Sequence, residues 1–338
     1  MINLILIGGN RMEENQPVEY INQLSRKKKM KLFLFTEKIH LNKPTNNRIL
    51  FKDFLIENQI NYKTLKNINN EVNEIKGKLC PKSRNILLLV NCIWRINNKI
   101  LNLFGKNAYN IHLGTLPNQV GAGGASWLRM IGARKSSISI HQLNSDYDSG
   151  KILLSEDFSL KKDFSLNDYY FHVRKKEKKA YEKFFDILIK NKLKLRKVSN
   201  KDFTYMPRLN TLTHGFIDWS WGAKDIVNFI NAFGRPYKGA STFIKKKKYF
   251  ISEAKFLNYS IKFHPFQSGI VIKKTKKSLF IATSNGLVNI IDLKDEKGKK
   301  VSLDKINLGV RFFTPSKYLD ASKMNTSLHT GKGIVIKR

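Results

Sequence analysis

Apolar runs recur through the first half of the chain and alternate with longer polar stretches. The runs cover residues 2–7, 31–35, 86–90 and 108–112, and the first ends at the glycine pair Gly8-Gly9. Each run has the length of a strand buried on both faces, and the stretches between them are long enough for helices. This repeat predicts the α/β fold class, with a mostly parallel sheet and flanking helices.

Two later segments change the period of the pattern. Residues 137–143 alternate apolar and polar side chains, which predicts a further strand. Residues 167–192 instead repeat apolar side chains every three or four positions, which predicts a long amphipathic helix. The apolar positions of that helix are Tyr170, Val173, Ala180, Phe184, Leu188 and Ile189.

The pattern changes again near residue 205. Ser220 is a candidate N-cap of a helix that Gly234 and Pro236 would end. Short β-type runs follow at 249–252, 269–272, 278–282 and 287–291, separated by lysine-rich or Ser-Asn-Gly turns. They predict a small, mostly β, OB-like barrel or sandwich. We therefore divide the chain into residues 1–205 and 206–338.

Length and composition agree with two packed domains. The chain has 338 residues, and 41% of them are hydrophobic, which excludes a disordered chain. Its two cysteines, Cys80 and Cys92, are too few for a disulfide framework and indicate a reducing compartment. No apolar run approaches the roughly 20 residues that span a bilayer, and the first run is strand-sized. We expect a cytoplasmic protein without membrane insertion.

The net charge of +36 is typical of proteins that bind nucleic acid or another polyanion. However, 49 of the 62 basic residues are lysine and 13 are arginine, although arginine matches phosphate geometry better. AT-rich codons supply Lys, Asn and Ile together, and the basic runs at 27–29, 175–179 and 245–248 are scattered. A compositional bias with solvated lysine faces is the favoured interpretation, and a polyanionic substrate stays open.

One segment combines a strand with groups that can act on a carbonyl. Asn110 and His112 are two residues apart on the fourth predicted strand, so their side chains point to the same face. Gly114 and Pro117 end that strand, which places both side chains at its carboxyl end, where open α/β sheets bind ligands. An amide can polarise a carbonyl while an imidazole moves a proton. The pair is a candidate site for acyl transfer.

Each of these features also has a purely structural interpretation. A single histidine near a strand end usually satisfies local hydrogen bonds, and Asp148 suits the backbone hydrogen bonds of its Ser- and Gly-rich turn. The glycine-rich loop 121–124 could approach a ligand or form a flexible crossover. Gly8 and Asn10 follow the first strand like a phosphate-binding turn, but without a GxGxxG fingerprint. No His/Cys cluster has the spacing of metal ligands.

The order and spacing of these features resemble the N10-formyltetrahydrofolate-dependent formyltransferase family. The core of that family's pattern is Asn-x-His, Leu-Pro, a glycine-containing loop and an Asp-Thr/Ser-Gly turn. The same order occurs here at Asn110-x-His112, Leu116-Pro117, residues 121–124 and Asp148-Ser149-Gly150. Ile217-Asp218-Trp219 and the later Pro236-Tyr237-Lys238-Gly239-Ala240 resemble the join to the carboxyl-terminal domain of methionyl-tRNA and sugar formyltransferases.

The resemblance implies a Rossmann-like formyltransferase domain over residues 1–205 and then a linker helix and the β-rich domain. It implies a catalytic set of Asn110, His112 and Asp148, no metal, and N10-formyltetrahydrofolate as formyl donor. Asn110 and His112 would stabilise the oxyanion formed when an amine attacks, and Asp148 would orient His112 and help to move a proton. The donor would bind at Cys92, Ile93, Trp94, Arg95, Asn144 and Asp146, and the acceptor near Gly8, Asn10, Gly123 and Gly124.

The acceptor stays open between two amines. Val120 stands where the family often has arginine, residues 7–10 lack the Gly-Thr-Pro-x-Phe opening of methionyl-tRNA formyltransferases, and the loop 121–127 is similar to the amino-sugar branch. These features favour a nucleotide-activated amino sugar as substrate. Trp127 could stack on a base or sugar or belong to the core.

Methionyl-tRNA is the alternative acceptor. Residues 236–338 carry 22 basic and 6 acidic residues, a net +16, as a tRNA-binding domain would need. A protein that only binds a partner and leaves the site idle is disfavoured by the intact set of Asn110, His112 and Asp148. Many relatives are dimers, so a homodimer is a further expectation, although no residue here indicates an interface.

Overall fold

The computed structural model describes residues 1–10, 16–45, 49–197, 199 and 202–337. The strands are β1 Ile2–Gly8, β2 Lys31–Thr36, β3 Tyr62–Thr64, β4 Arg84–Val90, β5 Ala108–His112, β6 Val120–Gly121, β7 Lys135–Gln142, β8 Ile152–Ser159, β9 Tyr205–Met206, β10 Ala240–Ile244, β11 Lys247–Leu257, β12 Val271–Lys274, β13 Leu279–Thr283, β14 Gly286–Asp295, β15 Phe312–Phe313, β16 Thr326–Thr330 and β17 Gly333–Lys337. The helices are α1 Pro17–Lys27, α2 Lys38–Leu41, α3 Phe51–Glu57, α4 Val72–Lys76, α5 Asn98–Phe104, α6 Gly124–Met130, α7 Leu166–Ile189, α8 Thr211–His214, α9 Ala223–Ala232 and α10 Ser316–Met324.

A seven-stranded sheet with the order β3-β2-β1-β4-β5-β7-β8 forms the first part of the fold. The strands from β3 to β5 run parallel, whereas β7 is antiparallel to β5 and β8 is antiparallel to β7. The predicted mostly parallel α/β sheet is therefore confirmed. Strand β8 was not predicted, because the carboxylate of Glu156 occupies one of its buried positions and pairs with Lys183 from α7.

Strand β1 lies in the interior of this sheet, between β2 and β4, and is buried along its whole length. Its side chains alternate between two hydrophobic clusters: Leu4 and Leu6 pack with α1 and α7, and Ile5 and Ile7 pack with α5 on the other face. Burial of each of these side chains contributes about 1.5–3 kcal/mol to the free energy of folding. A shift of one residue in the pairing of β1 would turn each side chain to the opposite face of the sheet. The packing on both faces therefore fixes the register of β1 with its neighbouring strands.

The long helix α7 agrees with the predicted helical period but ends earlier than residue 192. Its first turn is fixed by a capping box, in which Ser165 and Asp168 satisfy each other's backbone N–H groups. Its last helical residue is Ile189, and Asn191 has a positive φ of 50°, which a continuing helix cannot accept.

A six-stranded antiparallel sheet forms the β-rich part, with the order β12-β13-β14-β11-β10-β15. The predicted runs at 249–252 and 287–291 fall in β11 and β14, and the runs at 269–272 and 278–282 overlap β12 and β13. The apolar face of α9 packs on this sheet through Ile226, Phe229 and Ile230. The β-rich class is confirmed, while the division after residue 205 remains our proposal.

The prediction that Ser220 caps α9 was wrong. The N-cap is Gly222, and the hydroxyl of Ser220 instead donates a hydrogen bond of 2.6 Å to Oδ1 of Asp218. The backbone N–H of Ala223, in the first turn, donates over 2.8 Å to Oδ1 of Asn285, which lies in the turn between β13 and β14. A tertiary contact, which sequence spacing does not show, therefore sets the start of this helix.

Strands β16 and β17 form a hairpin that packs on the α/β part of the chain. The N–H of Arg95 donates to the carbonyl of Thr330 over 3.1 Å, and the N–H of Ile68 donates to the carbonyl of Gly331 over 3.0 Å. The backbone of Ser327 pairs with that of Arg208. This hairpin was not predicted from the sequence.

Among the described residues, no helix combines the length and the apolar character needed to cross a membrane.

Replacement of Gly8 by alanine tests how closely β1 and β4 approach. A Cβ at Gly8 would lie 1.8 Å from the carbonyl oxygen of Val90, and the φ of Gly8 is +135°. We expect Gly8→Ala to lower the free energy of unfolding by more than about 2 kcal/mol, measured by urea unfolding with tryptophan fluorescence. Gly77→Ala is the control, because its Cβ would make only ordinary contacts, and it should stay within about 1 kcal/mol of wild type. Equal stability of the two variants would contradict the close approach.

Candidate functional site

A cleft of about 450 Å³ opens at the carboxyl ends of β4 and β5. Its walls are the segment that follows β4, the end of β5, the loop that leads into α6 and the turn between β7 and β8. In a parallel sheet these strand ends lie side by side, so side chains from distant parts of the sequence meet there. The cleft contains the three predicted catalytic residues, Asn110, His112 and Asp148.

Asn110 and His112 lie on the same face of β5, as the alternation of a strand requires. His112 is buried, and its Nε2 is hydrogen-bonded to the carbonyl oxygen of Gln119. Gly114 leaves room for this ring, because a Cβ there would lie 2.7 Å from Nε2. The imidazole is thus held between the strand and the loop that follows it.

Asp148 lies in the turn after β7 and joins the parts of the site. Its Oδ2 accepts a hydrogen bond of 2.9 Å from the N–H of Gly121 and lies 3.4 Å from Nδ1 of His112. Its Oδ1 accepts from Nδ2 of Asn110 over 3.2 Å. The residue has a positive φ of 45°, and the turn packs so closely that a Cβ at Gly150 would lie 1.7 Å from the carbonyl of Gln142.

The electrostatics of the site keep Asp148 ionised. Burial would raise the pKa of this carboxyl, but the nearby imidazoles of His112 and His141 and the N–H of Gly121 together hold the pKa well below its usual range. A carboxylate that stays charged can orient an imidazole and accept hydrogen bonds over the whole physiological pH range.

His141 was missed as a site residue by the sequence analysis. It is buried on β7 directly opposite Asn110, and its Nε2 lies 3.3 Å from Oδ1 of Asp148 and 3.2 Å from Nδ2 of Asn110. Its Nδ1 is 2.8 Å from the carbonyl of Gln142. Only the register between β5 and β7 places His141 beside Asn110, and a single sequence does not reveal that register.

The six residues predicted to bind the donor all line the cleft: Cys92, Ile93, Trp94, Arg95, Asn144 and Asp146. The Arg95 guanidinium lies over the ring of Tyr147 at 4.7 Å and donates to the carbonyl of Ser145 over 3.2 Å, which ties the two donor walls together. The buried indole N–H of Trp94 has no hydrogen-bond partner within the described structure. Their roles in binding remain a proposal.

The four residues predicted near the acceptor separate into two pairs. Gly123 and Gly124 line the cleft, and Gly123 has the positive φ of 80° with which α6 begins. Gly8 and Asn10 do not belong to the described wall of the cleft, and Oδ1 of Asn10 accepts from the N–H of Val18, at the start of α1.

Trp127 packs against the core, and its indole N–H donates to the carbonyl of Pro207 over 2.7 Å. It is not among the described residues that line the cleft. Of the two interpretations given to it, the core position is the one observed.

The wall also contains Lys43, Arg208 and His329, which the sequence analysis did not select. They come from the segment after α2, the segment after β9 and strand β16. These three residues are far apart in the sequence, so no local motif connects them.

The two thiols should differ strongly in reactivity. The hydrogen bond from the hydroxyl of Ser83 lowers the pKa of Cys80, whereas burial raises the pKa of Cys92 to about 12. Because the thiolate is the reactive form, we expect iodoacetamide at pH 8 to modify Cys80 at least about ten times faster, as followed by peptide mass spectrometry. A Cys80→Ser variant isolates the slow reaction of Cys92. Comparable rates at the two positions would contradict the burial of the Cys92 thiol.

Comparison with family models gives two matches along the chain. Residues 11–184, more than half of the chain, match the model described as formyl transferase. Residues 211–311 match the model described as formyl transferase, C-terminal domain. The hairpin of β16 and β17 lies outside both matched segments.

Two curated relatives illustrate the sequence similarity. The methionyl-tRNA formyltransferase of Rickettsia massiliae (strain Mtu5) is 28% identical over 255 residues, which are 75% of this chain and 80% of the relative. The bifunctional polymyxin resistance protein ArnA of Wigglesworthia glossinidia brevipalpis is 24% identical over 225 residues, 62% of this chain. The match spans about a third, 34%, of the length of that second relative.

Two solved structures illustrate the similarity of fold. The N-formyltransferase from Helicobacter canadensis, in complex with folinic acid and dTDP-3-aminofucose, matches 89% of this chain and 100% of its own, with a TM-score of 0.64 and 19% identity. The methionyl-tRNA formyltransferase from Clostridium thermocellum matches 75% of this chain and 93% of its own, with a TM-score of 0.53 and 16% identity.

Proposed function

Since the chain belongs to the formyltransferase family and its formyl donor is formyl-tetrahydrofolate, we propose that it transfers the N10-formyl group to the primary amine of a nucleotide-activated amino sugar. Such a product would serve the assembly of a surface polysaccharide. The observation that carries the choice of acceptor is the cleft itself. It holds Asn110, His112 and Asp148 together with the cationic side chains of Lys43 and Arg208.

The donor would bind against the segment after β4 and the turn after β7. In this proposal Cys92, Ile93 and Trp94 supply backbone groups and apolar surface for the pterin ring, and Asn144 and Asp146 form the second wall. The hydrogen bond from Arg95 to the carbonyl of Ser145 and the contact of its guanidinium with the Tyr147 ring would keep the two walls at a fixed separation. Fixed walls hold the formyl carbon in one position relative to the acid–base residues, and such positioning accelerates a reaction between two bound substrates.

The transfer begins when the amine nitrogen attacks the formyl carbon, which turns the carbonyl oxygen into an oxyanion. The amide Nδ2 of Asn110 and the ring of His112 are the donors that would stabilise this charge. Nε2 of His112 is hydrogen-bonded to the carbonyl of Gln119 and Nδ1 faces Oδ2 of Asp148, so the ring would give up its contact with Gln119 to donate to the oxyanion. Asp148 fixes Asn110 and His112 through separate carboxylate oxygens.

Collapse of the intermediate completes the exchange. The bond from the formyl carbon to N10 breaks, that nitrogen takes up a proton, and the new amide nitrogen loses one. The net proton movement runs from the attacking amine to the departing folate nitrogen, and in this proposal His112, oriented by Asp148, assists it. The step needs no oxidant or reductant.

The acceptor should carry an anionic group that can pair with the basic side chains of Lys43 and Arg208 in the wall of the cleft. An amino sugar linked to a nucleotide carries its amine and its phosphates within one small molecule, which fits a cleft of about 450 Å³. The hairpin of β16 and β17 packs on Arg95 and adds His329 to the wall of the cleft. The match of the dTDP-3-aminofucose complex over 89% of this chain supports the same acceptor class.

Methionyl-tRNA is the second candidate. The net charge of +16 in residues 236–338 favours it, because phosphate contacts dominate the affinity of proteins for nucleic acid. The curated relative from Rickettsia massiliae supports it at the level of sequence. A homodimer remains a prediction for either acceptor.

The catalytic set is tested by Asp148→Asn and His112→Ala. Loss of the charge that holds both His112 and Asn110 should lower kcat by roughly 10²–10⁴-fold, measured as release of tetrahydrofolate from N10-formyltetrahydrofolate. Asp157→Asn, an exposed carboxylate on β8, is the matched control and should keep turnover within about twofold. Turnover of either site variant within a few-fold of wild type would remove these residues from the catalytic set.

The acceptor is tested by supplying nucleotide-linked amino sugars and methionyl-tRNA in parallel assays of tetrahydrofolate release. We expect turnover with at least one sugar and none with the tRNA. Binding of tRNA should also be weak at 150 mM salt and fall steeply as salt rises, since only non-specific phosphate contacts would remain. Turnover with methionyl-tRNA alone would replace the sugar by the tRNA and leave the formyl-transfer chemistry intact.

A further inference from the structure

Two basic side chains share the wall of the cleft without a carboxylate partner within the described residues. Lys43 and Arg208 both line it, and neither forms an ion pair within the described residues. The ammonium of Lys43 is 3.5 Å from Nδ1 of His40, and Glu37 is the acidic group that acts on it from a distance. Half-buried cations without a paired anion are unusual, because desolvation is costly unless a counter-charge arrives.

The positive charges of Lys43 and Arg208 repel each other. Burial lowers the pKa of Lys43 first, and the neighbouring Arg208 lowers it further. Burial also lowers the pKa of Arg208. A bound anion would relieve both effects, because it supplies the counter-charge to two groups at once.

The hairpin contributes a third polar group to the same wall. Ser327 pairs with the backbone of Arg208, and His329 is two residues farther along β16, so both point to the same side of the strand. Burial and then Arg208 lower the pKa of His329 to about 4, so its imidazole is neutral at physiological pH. It offers a hydrogen bond and no charge.

We infer that Lys43, Arg208 and His329 form a binding site for the diphosphate of the acceptor, completed by the hairpin of β16 and β17. The inference rests on the proposed function, since it assigns the phosphates of a nucleotide-linked sugar to these residues. Guanidinium and ammonium groups supply up to eight N–H donors for phosphate oxygens. The imidazole of His329 supplies a further donor from the hairpin.

The chemistry favours a diphosphate over the carboxylates of the folate tail. The donor walls, at Cys92 to Arg95 and Asn144 to Tyr147, carry their own cation in Arg95. Lys43, Arg208 and His329 come from segments that contribute no predicted donor contact. Two fixed cations also match the two negative charges that adjacent phosphates present.

The test measures binding of UDP and dTDP, and separately of folinic acid, to the full chain by isothermal titration calorimetry. Lys43→Gln and Arg208→Gln should each weaken binding of the nucleoside diphosphate at least tenfold, and His329→Ala about threefold to tenfold. Affinity for folinic acid should stay within twofold, which also shows that the variants are folded. The matched control is Lys332→Gln, which removes one exposed charge at the tip of the same hairpin and should change neither affinity.

The outcomes separate this inference from the proposed function. If the variants bind the nucleoside diphosphates as tightly as wild type while the enzyme formylates a nucleotide sugar, the site is wrong and the function stands. Loss of folinic acid affinity in Arg208→Gln or Lys43→Gln would place the anion of the donor there instead. If wild type binds neither nucleoside diphosphate and formylates methionyl-tRNA, both proposals fail.

Discussion

The carboxylate of Asp148 is the interaction on which the geometry of the cleft depends. One oxygen accepts from Asn110 and faces His141, and the other accepts from the N–H of Gly121 and faces His112. These contacts connect β5, β6 and β7 with the turn after β7. Because the carboxylate is largely buried, each contact is stronger than it would be in water. Asp148 makes these contacts from a left-handed backbone conformation, with a φ of 45°, which is uncommon for residues other than glycine.

The parts of the fold that the sequence predicted are those governed by local periodicity. The buried strands β1, β4 and β5 carry continuous apolar runs because both faces of the sheet are covered. Asn110 and His112 could be placed on one face because strand alternation is a property of the backbone alone. The family pattern then added Asp148, which no spacing argument would have joined to them.

What the sequence did not show depends on contacts between distant segments. Ser220 looked like a helix cap, but Asn285 from another turn fixes the helix start. His141 enters the site through the register between β5 and β7, and strand β8 was missed because a buried Glu156 interrupts its apolar alternation. In each case a tertiary interaction overrides the local pattern.

In our proposal, the hairpin of β16 and β17 takes part in acceptor binding and not in formyl transfer itself. The residues that we propose to act on the formyl group lie within the first segment that matches a family model. The hairpin lies outside both matched segments and contributes His329 to the wall of the cleft. Its tip is held by backbone hydrogen bonds from Ile68 and Arg95, which tolerate changes of side chain. Substitutions at hairpin positions that do not line the cleft can therefore accumulate during evolution without loss of this attachment. An ancestral enzyme of this kind could change its substrate by exchanging an appendage, while its chemistry is inherited intact.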